Sequence, residues 1–250
     1  MGKRVVVIGG SSGIGKAIAE RFAGEGWSVM ACAPDLSATQ KVVERLKGDG
    51  HIALEVDVTR DDHIENLKTE VKTKFSDIHT YIYCAGISRK VPIDDENFEK
   101  WDQSIQIMLY GAVKACRALI PSIRDGGRII HVTSIHHNRV AFGSSAYGMA
   151  KAAKTQFTRS LAVELAPRNI LANAIAPGFV DTPMSVKEDG INELKTKWFE
   201  DNYIKYDHLP LKRAGKPEEI AGIAWFLAGP DASYMTGSVI TADGGLTITF

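Results

Sequence analysis

Short apolar runs and amphipathic stretches alternate along nearly the whole chain. The runs fall at 4–8 (RVVVI), 28–32 (SVMAC), 52–56 (IALEV), 80–84 (TYIYC), 128–133 (RIIHVT), 170–175 (ILANAI) and 238–242 (SVITA). Most are nearly continuous in apolar residues, as strands buried on both faces are. Between them, 14–24, 36–47, 61–75, 98–120, 146–166 and 217–228 carry apolar residues at helical spacing. In the fifth of these, Ala150, Ala153, Phe157, Leu161 and Leu165 make one stripe, and Pro167 stops it. Alternation of this kind predicts right-handed βαβ units and a doubly wound parallel sheet of seven strands, an α/β fold.

One stretch breaks the rhythm. Residues 178–212 are charged and dotted with aromatics (Trp198, Phe199, Tyr203, Tyr206), and a long irregular insertion of this sort is expected to be a substrate lid. The length of 250 residues fits a single domain over 1–250, and 44% hydrophobic residues suffice for a substantial core. Thirty basic and thirty acidic residues cancel, so the chain lacks the charge footprint of a nucleic-acid or membrane-surface partner. Cys32, Cys84 and Cys116 are widely spaced in apolar stretches and read as buried free thiols of a reducing compartment. No signal-peptide core opens the sequence and no apolar run approaches 18 residues, so a cytoplasmic protein is expected.

The first chemistry-bearing feature is "IGGSSGIGKAIAE" at residues 8–20, where Gly9, Gly10, Gly13 and Gly15 crowd the hand-over from strand to helix. Glycine is costly inside regular structure, so such a cluster signals a sharp turn whose backbone approaches a ligand closely. In a doubly wound sheet this loop lies at the carboxyl ends of the strands. Its main-chain N–H groups and the N-terminus of the helix from Ile14 suit a pyrophosphate. The spacing, Gly9-x-x-x-Gly13-x-Gly15, departs from GxGxxG and is weak evidence alone.

It is followed, in order, by Cys84-Ala85-Gly86, Ser134, Tyr147-x-x-x-Lys151, Pro177-Gly178, Thr182 and the tail "PEEIAGIAWFLAGPDASYMTGSVITADGG". Tyr147 and Lys151, at i and i+4, share one helix face. As a set, these motifs resemble the short-chain dehydrogenase/reductase family across essentially the whole chain. The resemblance implies a Rossmann fold and hydride transfer between a nicotinamide cofactor and a secondary alcohol or carbonyl. A free tyrosine ionises near pH 10, and an ammonium one helical turn away favours the phenolate, which suits the pair to acid/base work. By resemblance, Tyr147 exchanges the proton, Ser134 holds the substrate oxygen, and Lys151 also grips the nicotinamide ribose. Cofactor contacts are likewise implied for Gly9, Ser11, Ser12, Gly13, Ile14 and Gly15, for Cys84, Ala85 and Gly86, and for Pro177, Gly178, Val180 and Thr182. Asp57-Val58 looks like the pair that flanks adenine, with a strand-end cap as the other reading of Asp57. The helices near 98–120 and 146–166 resemble the pair through which the family associates, so a homotetramer is expected.

Two positions depart from the family pattern. Met108 stands in "IQIMLYG" where members usually carry an asparagine that supports a proton relay from the lysine, and methionine cannot hydrogen-bond in that way. Gln106 is expected to point to the wrong side to substitute. The usual NNAG is Tyr83-Cys84-Ala85-Gly86, which retains only the Ala-Gly portion. Cofactor choice turns on the end of strand 2, where Ala33, Pro34 and Asp35 replace both the aspartate of NAD users and the cation of NADP users. With no cation there or at Ser12, NAD is favoured over NADP, and Asp35 is a candidate for the adenosine ribose or a turn residue after Pro34.

For the substrate, "Ser-Ile-His" at 134–136 resembles the Ser-Val-His of glucose-dehydrogenase-like members and points to a sugar or polyol. The resemblance places Arg89, Lys90, His136, His137 and Arg139 on loops around the active-site mouth, a basic cluster with no acidic residue in 87–91 or 134–143. This points to an acidic hydroxylated substrate, with Arg89, His136 and Arg139 as its contacts, unless the acidic residues at 94–96 neutralise it. No metal is expected, since adjacent histidines diverge and lack a third ligand at fixed spacing. The tail also resembles 3-oxoacyl thioester reductases, and a non-catalytic dinucleotide-binding regulator is the alternative from another class.

Overall fold

The computed structural model describes residues 2–187 and 189–249. Seven parallel strands run in the order β3-β2-β1-β4-β5-β6-β7. They are β1 (Arg4–Ile8), β2 (Ser28–Ala33), β3 (Ile52–Glu55), β4 (Ile78–Tyr83), β5 (Ile123–Val132), β6 (Leu171–Pro177) and β7 (Val239–Ala242). The helices are α1 (Gly13–Gly24), α2 (Leu36–Val43), α3 (Asp61–Lys74), α4 (Phe98–Ile105), α5 (Gly111–Leu119), α6 (Ser145–Glu164), the single turn α7 (Lys197–Phe199) and α8 (Pro217–Ala228). The doubly wound sheet predicted from the alternating pattern is the observed fold.

Alternation along β1 explains the two layers. Val5 and Val7 face a core shared with Ile18 and Phe22 of α1 and Ile220 and Leu227 of α8. Val6 and Ile8 face the opposite core, with Leu67 of α3, Leu119 of α5 and Leu161 of α6. Because successive side chains of a strand point to opposite faces, a strand covered on both sides is apolar throughout. The strand order reverses between β1 and β4, which opens a crevice at their carboxyl ends.

The helix predicted over 98–120 is interrupted. Residues Gln106–Tyr110 form a π-helical turn between α4 and α5. Widening a turn frees a carbonyl from its usual partner, and the Tyr83 hydroxyl at the end of β4 donates to Ile107 O at 2.5 Å. The π turn carries Met108 into the interior, fully buried. Gln106 donates to Asp102 Oδ2 at 2.9 Å, so its amide is directed along the helix. Fifth in the sheet, β5 begins at Ile123, five residues before the predicted run, and its register with β4 shifts between Ile78 and Thr80.

Candidate active site

The glycine loop follows β1 and closes on its neighbours more tightly than any side chain allows. A Cβ at Gly9, where φ is +83°, would lie 2.6 Å from Ala85 N, and one at Gly15 would lie 2.0 Å from Gly9 O. The loop can therefore run directly over the start of α1, leaving its backbone open to the crevice. There a cleft of about 680 Å³ runs from this loop to the 178–212 segment, a volume within the ordinary range of small-molecule sites.

The predicted cofactor residues converge on this cleft. Gly9, Ser11, Ser12, Gly13, Ile14 and Gly15 form its floor. Asp57, Val58, Cys84, Ala85 and Gly86 form one wall, and Pro177, Gly178, Val180 and Thr182 the other. Gly13 lies against Thr182, since a Cβ there would be 3.2 Å from the threonine Cβ. Burial pushes the Cys84 thiol up to about 12, so the sulfur is a neutral part of the wall. Asp35 does not line the cleft: its carboxylate caps α2 by accepting from Ala38 N at 2.9 Å. Of the two sequence readings for Asp35, the local capping role is the one the geometry displays.

Ser134, Tyr147 and Lys151 meet at the deep end of the same cleft. Ser134 stands just past β5, and its Oγ accepts from His136 N at 3.2 Å. Tyr147 and Lys151 project from one face of α6, with the Lys151 Nζ 5.2 Å from the tyrosine ring centroid. The same Nζ donates to Val132 O at 3.3 Å and is almost wholly buried. His136 stands edge-on to the Tyr147 ring at 5.4 Å. Burial, then the nearby Lys151 charge, lowers the ionisation of His136 from its ordinary value, which favours the neutral imidazole.

Arg89 lines the mouth, where its guanidinium donates to Gln103 Oε1. Arg139 does not line the cleft, because its guanidinium turns outward and donates to the Thr247 carbonyl. The expected basic cluster is thus split. Several cleft residues escaped the sequence reading: Phe142, Phe179, Met184, Lys187 and Glu193 all line the substrate end. The aromatics of 178–212 did signal part of this. Phe179 packs edge-on against Phe199 at 5.0 Å and Tyr203 at 4.7 Å, and Trp198 lies 5.5 Å from Tyr203. Lys187 and Glu193 pair at 2.7 Å across the same segment. Of the predicted lid over 178–212, Glu188 lies outside the described residues. Among the described residues no cluster of metal-ligating side chains occurs, and no helix is long and apolar enough to cross a membrane.

A glycine-lined strand-to-helix turn, beside a tyrosine, a lysine and a serine in one crevice, has the makings of a dinucleotide-dependent oxidoreductase site. Residues 8–247 match the family model described as "Enoyl-(Acyl carrier protein) reductase". The chain is 33% identical over 252 residues to carbonyl reductase family member 4 of Xenopus laevis, covering 99% of both proteins. It is 36% identical over 254 residues to the 3-oxoacyl-[acyl-carrier-protein] reductase FabG of Thermotoga maritima, covering 99% of this chain and 98% of the relative. In structure it is similar to the aldohexose dehydrogenase (AldT) of Thermoplasma acidophilum, with a TM-score of 0.84 and 30% identity, covering 100% of this chain and 95% of that one. The chain belongs to the short-chain dehydrogenase/reductase family and is an oxidoreductase acting on CH–OH or carbonyl groups with a nicotinamide cofactor. The regulator alternative gives way to an enzyme, because the named relatives are reductases and dehydrogenases.

Proposed function

We propose that the enzyme interconverts a ketone and a secondary alcohol whose body is apolar, using NAD, with Tyr147 as proton donor and acceptor. The observation that carries this is the meeting of Ser134, Tyr147 and Lys151 in the cleft that also holds the glycine cradle. When bound, the nicotinamide supplies or takes the hydride. The chain's part is to hold the carbonyl oxygen between the Ser134 and Tyr147 hydroxyls, to exchange one proton at the Tyr147 oxygen, and to keep Lys151 charged beside it. The close-packed Gly9, Gly13 and Gly15 would admit the pyrophosphate, with Thr182 and the Pro177–Gly178 wall beside the nicotinamide. Ala33, Pro34 and Ser12 offer no cation for a 2′-phosphate, which supports NAD over NADP.

The substrate end supports an apolar body, because Phe142, Phe179, Met184, Trp198 and Tyr203 line it. A 3-oxoacyl thioester or a bulky ketone suits those walls better than the sugar, polyol or acidic substrate expected from the sequence. The sugar reading stays second, favoured by the likeness to AldT, and Arg89 and Lys90 at the mouth still suit an anionic tail. The 178–212 segment acts as the lid. Phe98, Tyr110, Met149 and Val163 lie exposed on or beside the α4, α5 and α6 helices, which supports pairing of these helices between copies in a homotetramer. A cytoplasmic location belongs to the same reading.

The test is a panel of acetoacetyl thioester, acetophenone and glucose, each with NAD(H) and NADP(H), on wild type and Tyr147→Phe. The expected result is turnover of the first two with NAD(H), and a loss of about 10²-fold or more in kcat in the variant with cofactor affinity kept. Wild-type kcat in Tyr147→Phe would remove Tyr147 from the chemistry, and turnover of glucose alone would restore the sugar reading.

A further inference from the structure

Lys154 is the anomaly of this molecule. It is fully buried, and its Nζ has no hydrogen-bond acceptor among the described residues. A lysine in that condition is rare, because an unpaired buried ammonium costs several kcal/mol in lost hydration. The nearest stabilising feature is the Tyr83 ring, 4.9 Å below the nitrogen. A cation–π contact returns much less than the hydration that a buried ammonium loses, so it does not offset the burial of a charge.

The groups facing Lys154 from each packed element are Lys151 on its own helix, Tyr83 and Cys84 at the end of β4, and His131 on β5. None supplies an anion. Burial keeps the Cys84 thiol protonated, and the Tyr83 hydroxyl is occupied in donating to Ile107 O. Burial also keeps the His131 imidazole neutral. The remaining neighbour, Lys151, is itself a cation, and its amine lies at interaction range of the Lys154 amine. Burial first, then the Lys151 charge, drives the ionisation of Lys154 well below that of an ordinary lysine.

The arrangement follows from helix geometry. Lys154 is three residues beyond Lys151 and four beyond Ala150, so it occupies the inward stripe of α6, and helical side chains lean back toward the preceding turn. Lys151 has three N–H donors. One goes to Val132 O, and Lys154, three residues along the same buried face of α6, lies on the side of the other two. Two ammonium groups cannot bond to one another, whereas an amine lone pair accepts from an ammonium. On the far side, where an asparagine is expected, Met108 presents a thioether that packs against Gly86, with Sδ 3.2 Å from where a Cβ on that glycine would be.

We propose that Lys154 is a positioning residue for the reaction: its uncharged Nζ accepts a hydrogen bond from the Lys151 ammonium and holds that ammonium beside Tyr147, a polar partnership that Met108 does not provide. The inference rests on Tyr147 and Lys151 being the working acid/base pair. No proton leaves through Lys154, which is sealed from solvent; its part is to keep Lys151 charged and aimed.

Two measurements on the full-length protein test this. The first is NMR of the cofactor-free protein labelled with ¹³C-lysine. One lysine is expected to be uncharged at pH 7, with its signal absent in Lys154→Gln; a spectrum in which every lysine is charged at pH 7 overturns the proposal. The second is the pH profile of kcat/KM for alcohol oxidation, using the alcohol product of whichever panel ketone is turned over fastest. In Lys154→Met the low-pH limb should move up by about one pH unit, a tenfold loss below it. Lys154→Gln, which restores an uncharged acceptor, should return the limb toward wild type. Wild-type profiles in both variants, or an equal displacement in both, overturn the proposal. Tyr147→Phe separates the two levels: activity retained there defeats the acid/base reading itself, whereas an inactive Tyr147→Phe with unmoved Lys154 variants defeats only the role of Lys154.

Discussion

Replacing His131 with phenylalanine would isolate one buried ionisation and its effect on acid stability. His131 lies on β5, fully buried, with Tyr81 and Tyr83 edge-on at 6.2 and 6.4 Å and Phe157 stacked at 5.7 Å. The Thr158 hydroxyl donates to Lys154 O at 2.8 Å, so its single proton is committed and His131 Nδ1–H must be the donor to Thr158 Oγ1, also at 2.8 Å. Nε2 is then a bare acceptor with no partner among the described residues. Burial lowers the imidazole from 6.5 to about 3. Between those values the unfolded chain binds a proton that the native state refuses, so stability falls as pH drops from 6.5. The loss is about 1.4 kcal/mol per pH unit, or ~2 kcal/mol by pH 5 and ~5 kcal/mol by pH 3. That is a large part of the 5–15 kcal/mol typical of a folded domain. The variant gives up the Thr158 bond, about 1 kcal/mol at every pH, but keeps the aromatic contacts. Urea unfolding followed by circular dichroism, from pH 7.5 to 4.5 at fixed protein concentration, reads the difference. The wild-type advantage should shrink and then reverse below pH 6.5. Parallel curves for the two proteins would refute a neutral buried His131.

Gly9→Ala should weaken NADH binding at least about tenfold and lower Tm, because the new Cβ meets Ala85 N at 2.6 Å with φ at +83°; an unchanged Kd by fluorescence titration would contradict the cradle. Met108→Asn should leave kcat equal or higher with little change in KM, since Lys154 already serves Lys151, while burying an amide there lowers stability by ~1–3 kcal/mol; a collapse of kcat with the fold intact would show that Met108 shapes the pocket. With a neutral and an acidic form of one substrate, Arg89→Ala should lose any preference for the acid and Arg139→Ala should not, because only the first lines the cleft; equal efficiencies in all three proteins would make Arg89 ordinary surface. Sedimentation at micromolar concentration should show a tetramer, and a monomer would refute the proposed pairing of the exposed helix faces.

The sequence by itself determined the sheet, its helical layers and the order of the site motifs. Each rests on local information: continuous apolar runs mark strands covered on both faces, and Tyr147 and Lys151 share a face at any four-residue spacing on a helix. The glycine cluster likewise announces a turn that tolerates no side chain, which the short distances at Gly9 and Gly15 express in three dimensions. The direction of long polar side chains is set otherwise. Arg139 and Asp35 sit in loops beside the cleft in sequence order, yet an available carbonyl at Thr247 and a free amide at Ala38 take their polar ends elsewhere. The π turn at Gln106–Tyr110 depends on a hydroxyl from β4, distant in sequence, that satisfies the freed carbonyl. Lys154 shows the limit most sharply. Helical spacing places it on the stripe with Ala150 and Phe157, but its charge state follows from the strands, thiol and second amine that enclose it. Only tertiary packing decides how much water a group loses and which neighbours replace it, and those two quantities fix the chemistry of a buried amine.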